Sequence, residues 1–253
     1  MTVLIYEAII IRYIMVNMPF GKPFGSKIQY NGGKSMTKKA LPTYTLGEEL
    51  MNSISHGIGA CLSVAALVLC IVRAAINIGS VGAAGVVGAS IYGSTLVILY
   101  CMSTLYHAIT NKTARRVFRV FDHTSIYLLI AGTYTPITLV TLKGAIGWVL
   151  FGIVWGIAVL GIVLNSISIE KFRVFSIISY IVMGWAVVLG GKSVIAQLPT
   201  GGLIFLLIGG VCYTVGIIFY AMKKYKYMHS VWHFFVLAGS ITHFFAVYLY
   251  VLK

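Results

Sequence analysis

Polar residues are sparse along this chain, and the gaps between them carry its architecture. Seven apolar segments run at approximately 54–76, 86–109, 123–142, 146–166, 174–195, 201–222 and 231–252. Each holds about 20 residues, the length a helix needs to cross a ~30 Å hydrocarbon core. The joints are short: "INIGSVGAAG", "NKTARRVFRVFD", "LKGAIG", "SISIEKFR", "AQLPTG" and "KKYKYMHS". Short joints make successive helices antiparallel neighbours. The pattern predicts an all-α integral membrane protein, one seven-transmembrane-helix bundle over 48–253 with no second domain and no internal repeat. In the third segment "AGTYTP" sets Pro136 in mid-span. It is expected to kink the helix, with Thr133 or Thr135 bonding the carbonyls that it frees.

Composition agrees. Hydrophobic residues make up 59% and charged residues only 9%, against about 25% charged in a soluble domain. A chain of this kind buries its surface in lipid and belongs in the cell membrane as a multi-pass protein. There are 19 Lys+Arg against 5 Asp+Glu. Such an excess can signal nucleic acid, but here it sits in the joints, the ordinary place for basic residues beside membrane spans. No nucleic-acid partner is expected.

The basic residues set the orientation. Arg12, Lys22, Lys27, Lys34, Lys38 and Lys39 precede the first span. Lys112, Arg115, Arg116 and Arg119 lie between spans two and three, Lys171 and Arg173 between four and five, and Lys223, Lys224 and Lys226 between six and seven. Those fifteen share one side, and only Lys143 and Lys253 fall opposite. The positive-inside rule puts the N-terminus in the cytoplasm and the C-terminus outside. Arg73 and Lys192, near outer helix ends, are read as snorkelling to the interface. A cytoplasmic N-terminus disfavours G-protein-coupled receptors, and the lack of a lysine within the last span disfavours retinal proteins. Cys61, Cys70, Cys101 and Cys212 lie in apolar runs without a CxxC pair and read as free thiols in helices.

Residues 1–47 read as a basic cytoplasmic tail. Its first 35 residues lack the basic n-region and small-residue cleavage site of a signal peptide. Gly32-Gly33-Lys34-Ser35 before Met36 can be encoded by a purine-rich, ribosome-binding type of sequence, and "MTKKALPTYTLGEEL" makes a short basic start. Translation is expected to begin at Met36.

The chemistry lies in polar residues that share one depth. "STLYH" puts Ser103 and His107 at the cytoplasmic end of the second span. "FDHTSIY" puts Asp122 and His123 at the start of the third, and "HSVWH" puts His229 and His233 at the start of the seventh. Residues four apart share a helix face. Three neutral imidazoles plus water is a usual catalytic zinc arrangement, and His107, His229 and His233 can supply the nitrogens. HExxH motifs carry their own glutamate base, but Ser230 follows His229 here. Asp122, read as the only acid at that depth, is the candidate base, and Ser103 can donate to an oxyanion or hold a water. An isolated HxxxH is more often a pair of satisfied polar residues; the third histidine and the aspartate bring the metal reading level with that one. His243, about ten residues deeper, reads as a packing or hydrogen-bonding residue. His123 is left out of the ligand set.

"GEELMNSISHGIGA" sets Glu49, Asn52 and His56 on one stripe of a helix, at i, i+3 and i+7. One reading makes the stripe a support or gate beneath the metal; the other makes it an amphipathic interfacial helix with ordinary capping. Capping is favoured for Glu48, and both readings stay open for Glu49 and His56.

"EELMNSISHGIGA", "STLYH", "RVFDHTSIYLLIAGTYTP", "MGW" and "HSVWHFFVLAGSITHFFAVY" together resemble the bacterial hemolysin III branch of the progestin and adipoQ receptor family, over about 48–253. The resemblance implies seven helices with a cytoplasmic N-terminus and a zinc ion on His107, His229 and His233. Asp122 and Ser103 match the family's aspartate and serine. Alkaline ceramidases share the pattern, which suggests a zinc-dependent hydrolase of a membrane lipid amide or ester, acting in membrane homeostasis. The alternatives are a pore-forming cytolysin and a non-catalytic membrane sensor with structural zinc. The oligomeric state is left open.

Overall fold

The structure, a computed structural model, describes residues 41–142, 144–222 and 224–253. The expected start at Met36, the basic residues before it, Lys143 and Lys223 lie outside the described residues. Thr45–Lys253 form one unit. Among the described residues no strand occurs, and seven stretches are long and apolar enough to cross a membrane.

The spans are α1 (Leu46–Ile76), α2 (Ile78–Ala108), α3 (Lys112–Pro136, running on as a π turn Ile137–Thr141) and α4 (Ala145–Ile167). The fifth is broken into α5 (Arg173–Gly184), a 3₁₀ turn (Ala186–Gly190) and α6 (Gly191–Gln197). Then come α7 (Thr200–Ala221) and α8 (Met228–Ala246), which ends in a second π turn, Val247–Val251. α1 packs on α2 and α8, α3 on α2 and α4, and α7 on α8.

α1 shows how the solvent is reversed. Its outer face carries the exposed apolar residues Leu50, Ile54, Ile58 and Leu62. Its inner face carries buried Glu48, Asn52, Ser55, His56 and Ser63. Lipid accepts the apolar face, and only protein can satisfy the polar one. α1 comes close to α2 at Gly59, where a Cβ would strike the ring of Tyr100. α3, the least apolar span, is the most buried for the same reason, 67% against 44% or less for the others.

α1 begins eight residues before the apolar pattern does. Thr45 caps it: the Thr45 side chain accepts from the Glu48 amide, and the Glu48 carboxylate accepts from the Thr45 amide at 2.8 Å. This capping box bears out the expectation for Glu48. The fifth span breaks where Gly184 precedes Trp185, and again at Gly191, whose φ of 43° suits glycine. The Tyr134 hydroxyl donates to the Gly184 carbonyl at 2.9 Å and accepts from the Val187 amide at 2.7 Å, so the break leaves these groups satisfied inside the bundle.

At Pro136 the α-helix gives way to the π turn. Thr133 donates to the Leu129 carbonyl and Thr135 to the Ala131 carbonyl, both at 2.8 Å. The carbonyl that a proline at 136 deprives of its partner is that of Gly132, four residues back. The expected rescue by these threonines is therefore not how they are used, because each hydroxyl follows the ordinary bond to its own i−4 carbonyl. All four cysteines are free thiols.

Candidate metal centre

His107 lies in the last turn of α2, and His229 and His233 lie in the first two turns of α8. Their ring nitrogens converge, all within 4.8 Å of one another. His229 Nε2 is 3.3 Å from His107 Nε2 and 3.2 Å from His233 Nε2. His107 and His233 are buried, and His229 is partly so.

The surroundings assign the protons. His107 Nδ1 is 2.7 Å from Glu49 Oε2. An ionised carboxylate only accepts, so Nδ1 carries the hydrogen and Nε2 carries a lone pair. Asn52 Nδ2, at 3.4 Å from the same Nδ1, is then a neighbour and not a donor to it. His233 Nδ1 is 3.2 Å from the Asn52 carbonyl. A carbonyl too only accepts, so His233 Nε2 is also bare. Two lone pairs thus face His229 Nε2, which carries at most one hydrogen to offer them. A cation between the three relieves that conflict, and the group can hold a metal ion.

α1 supplies no nitrogen to this group but braces all of it. Glu49 bonds His107 with one oxygen and Arg115 with the other. The Asn52 Oδ1 accepts from Ser230 Oγ at 2.5 Å, pinning the turn between the two α8 histidines. Ser55 Oγ stands 3.3 Å from His233 Nδ1. The His56 ring stacks on the His233 ring.

Asp122 is buried on α3, with its Oδ2 3.3 Å from His123 Nδ1. It is not one of the converging groups. Ser103 is fully buried one turn before His107; its hydroxyl approaches the Asp122 carboxylate without reaching hydrogen-bond geometry, and has no other partner among the described residues. Asp122 and His229 line a cavity of about 120 Å³ that extends past Trp232, Tyr213 and Trp185 to His243. Its walls are overwhelmingly apolar. His243 donates from Nε2 to the Leu206 carbonyl at 3.1 Å, the hydrogen-bonding role expected of it.

Residues 44–244 match the family described as Haemolysin-III related. The chain belongs to that family. It is 44% identical over 210 residues to the Hemolysin-3 homolog of Bacillus subtilis (strain 168), covering 83% of this chain and 97% of the relative. It is 42% identical over 218 residues to Hemolysin-3 of Bacillus cereus, covering 86% and 98%. A more distant likeness, 28% over 169 residues, is to the human Monocyte to macrophage differentiation factor, covering 64% and 70%. No solved structure matches the chain. All the residues of the histidine cluster and its α1 brace fall within the stretch that matches the haemolysin-III related family.

The structure brings together His107, His229 and His233, which the sequence pattern had grouped, and leaves His243 and His123 outside the cluster. It counted one acid at that depth too few. Glu49 reaches His107 because α1 starts at Leu46 and carries its polar stripe into the bundle. The i, i+3, i+7 spacing of Glu49, Asn52 and His56 was the available signal. Ser55 and Arg115 gave none, since each matters only through a partner on a distant helix.

Proposed function

We propose that this membrane protein is a zinc-dependent hydrolase of lipid amides or esters, with His107, His229 and His233 as metal ligands and Asp122 and Ser103 as catalytic residues. The observation that carries the reading is the convergence of three imidazoles, with His229 Nε2 3.2–3.3 Å from the unprotonated Nε2 atoms of the other two, beside a buried acid and an apolar cavity. Ligands at the usual Zn–N length of 2.0–2.1 Å and tetrahedral angles stand about 3.3 Å apart, so the spacing of His229 to both neighbours fits. Ser103, whose hydroxyl lies near the Asp122 carboxylate without a completed hydrogen bond, fits as well, since it can still serve a water or a substrate oxygen.

A zinc ion held there supplies Lewis acidity for a carbonyl and makes water a nucleophile near neutral pH. Asp122 takes the proton that water gives up and returns it to the leaving amine or alcohol. Ser103 donates a hydrogen bond to the developing oxyanion. The apolar cavity holds the substrate's hydrocarbon chain and keeps bulk water away. Charge in the loops favours a cytoplasmic face for the site.

A second reading has an observation of its own. The cluster joins α2 to α8 and is braced from α1, so a metal there would also staple the bundle, as a structural zinc in a sensor would. The relatives' name, Hemolysin-3, points to lysis, which a pore would explain; the cavity beside the cluster has an apolar lining and is not itself a polar conduit.

The test is metal content and turnover on detergent-purified protein. About one zinc per chain is expected, lost in His229→Ala/His233→Ala, together with hydrolysis of a short-chain ceramide or fatty ester that Asp122→Ala abolishes. Stoichiometric zinc without turnover on any lipid amide or ester would favour the structural reading.

A further inference from the structure

Glu49 and Arg115 form a chain of contacts that ends on a ligand nitrogen. Arg115 Nη2 bonds Glu49 Oε1, and Glu49 Oε2 accepts from His107 Nδ1 at 2.7 Å. The three side chains come from α3, α1 and α2. His107 is fully buried, and Glu49 and Arg115 are 13% and 17% exposed. The Arg115 guanidinium also lies over the ring of Tyr106, 5.3 Å from its centroid.

Arg115 is out of place for its helix. It stands near the N-terminus of α3, just after the Asn111 cap, where the helix dipole disfavours a cation. Glu49 is out of place for a lipid-exposed span, where a lone carboxylate is costly. Each is explained by the other, and the carboxylate they leave over is spent on His107. A histidine whose far nitrogen donates to a carboxylate is fixed in tautomer and ring orientation, and its near nitrogen is the more basic.

We propose that Glu49, held by Arg115, is a positioning residue for the metal: it sets the tautomer and aim of His107 and so raises the affinity of the cluster. This rests on the metal-centre reading. Glu49 contacts neither the ion nor a substrate in this role and is not a catalytic residue. Its loss weakens metal binding by about 10–100-fold, the usual cost of removing such a partner.

The experiment is competition for Zn²⁺ against a chromophoric chelator, using the full chain in detergent, with Co²⁺ absorption spectra in parallel. Wild type is compared with Glu49→Ala, Glu49→Gln and Ser53→Ala; the Ser53 hydroxyl bonds only its own helix, at the Leu50 carbonyl. Glu49→Ala is expected to bind about 10–100-fold more weakly, with a shifted Co²⁺ band, while its metal-free form still melts cooperatively, at a lower temperature because Arg115 loses its partner. Glu49→Gln keeps an acceptor oxygen and is expected to recover part of the loss. Ser53→Ala is expected to match wild type. Glu49→Ala within twofold of wild type, with an unshifted band, overturns the proposal and leaves Glu49 as an ion-pair partner of Arg115. If Glu49→Ala does not fold, Glu49→Met, which keeps the bulk but offers His107 no acceptor oxygen, overturns it equally when it binds with wild-type affinity and an unshifted band. A wild type that binds neither metal overturns the metal-centre reading itself, and is recognised before any variant is examined.

Discussion

The imidazole of His56 lies flat on that of His233, with centroids 3.6 Å apart and planes 13° from parallel. Neither nitrogen of His56 has a hydrogen-bond partner among the described residues. Its ring also meets the Tyr100 ring in a T-shaped contact, with centroids 5.0 Å apart. His56 therefore acts on the cluster through its face.

That gives a first prediction. His56→Phe keeps the stack and removes two unsatisfied nitrogens, so it is expected to retain the metal and melt no lower than wild type. His56→Ala leaves a void behind His233 and is expected to lose roughly 3 kcal/mol, typical of a buried ring cut to alanine. Thermal melting in detergent with metal analysis reads both. Loss of metal in His56→Phe would mean that the nitrogens matter.

Asp122 offers a way to test metal binding apart from the proposed chemistry. It stands outside the converging nitrogens, so Asp122→Asn is expected to keep the zinc. As the proposed proton carrier its loss should cost about 10²–10⁴-fold in turnover. A variant that hydrolyses its lipid at the wild-type rate would remove Asp122 from the reaction.

Metal removal should loosen the bundle as well as silence it, because the ligands join α2 to α8. A ligand at a hundred times its Kd stabilises the native state by about 2.7 kcal/mol. The melting temperature is expected to fall on treatment with chelator and to return with added zinc. The variant His107→Ala should melt alike with and without chelator.

Sidedness can be read directly. Lys226, in the turn before α8, and Lys253, at the other end of the last span, are both exposed. If the site faces the cytoplasm, Lys226→Cys is labelled by an impermeant maleimide only in permeabilised cells, and Lys253→Cys in intact ones. The reverse pattern would invert the orientation.

Most of the fold was legible because lipid imposes one rule on every span: a long apolar run becomes a helix. The departures occur where protein replaces lipid. Glu48 and Glu49 interrupted the apolar pattern and hid the first two turns of α1, though Thr45, Tyr227, His107 and Arg115 satisfy them. The break at Gly184–Trp185 was invisible because Tyr134, 50 residues away, repairs it. In the site, the three histidines were legible from equal depth along separate helices, a one-dimensional property. The bracing of His107 and His233 from α1 was not, because it depends on which helices are neighbours and how each is rotated. Pro136 shows the same limit in small: its position predicted a disturbance, and side-chain geometry decided which carbonyls the threonines would use.

Glu48 caps α1 and also accepts from the Tyr227 amide at 2.9 Å, at the left-handed residue (φ 63°) from which α8 sets out. These partners are 179 residues apart, and His107 and His229 are 122 apart. During synthesis, then, Glu48 lacks its Tyr227 partner, and His107 lacks its His229 neighbour, until the final span arrives. The three nitrogens come together only once the last span is in place, so any ion that the cluster holds would report that the whole bundle has been delivered.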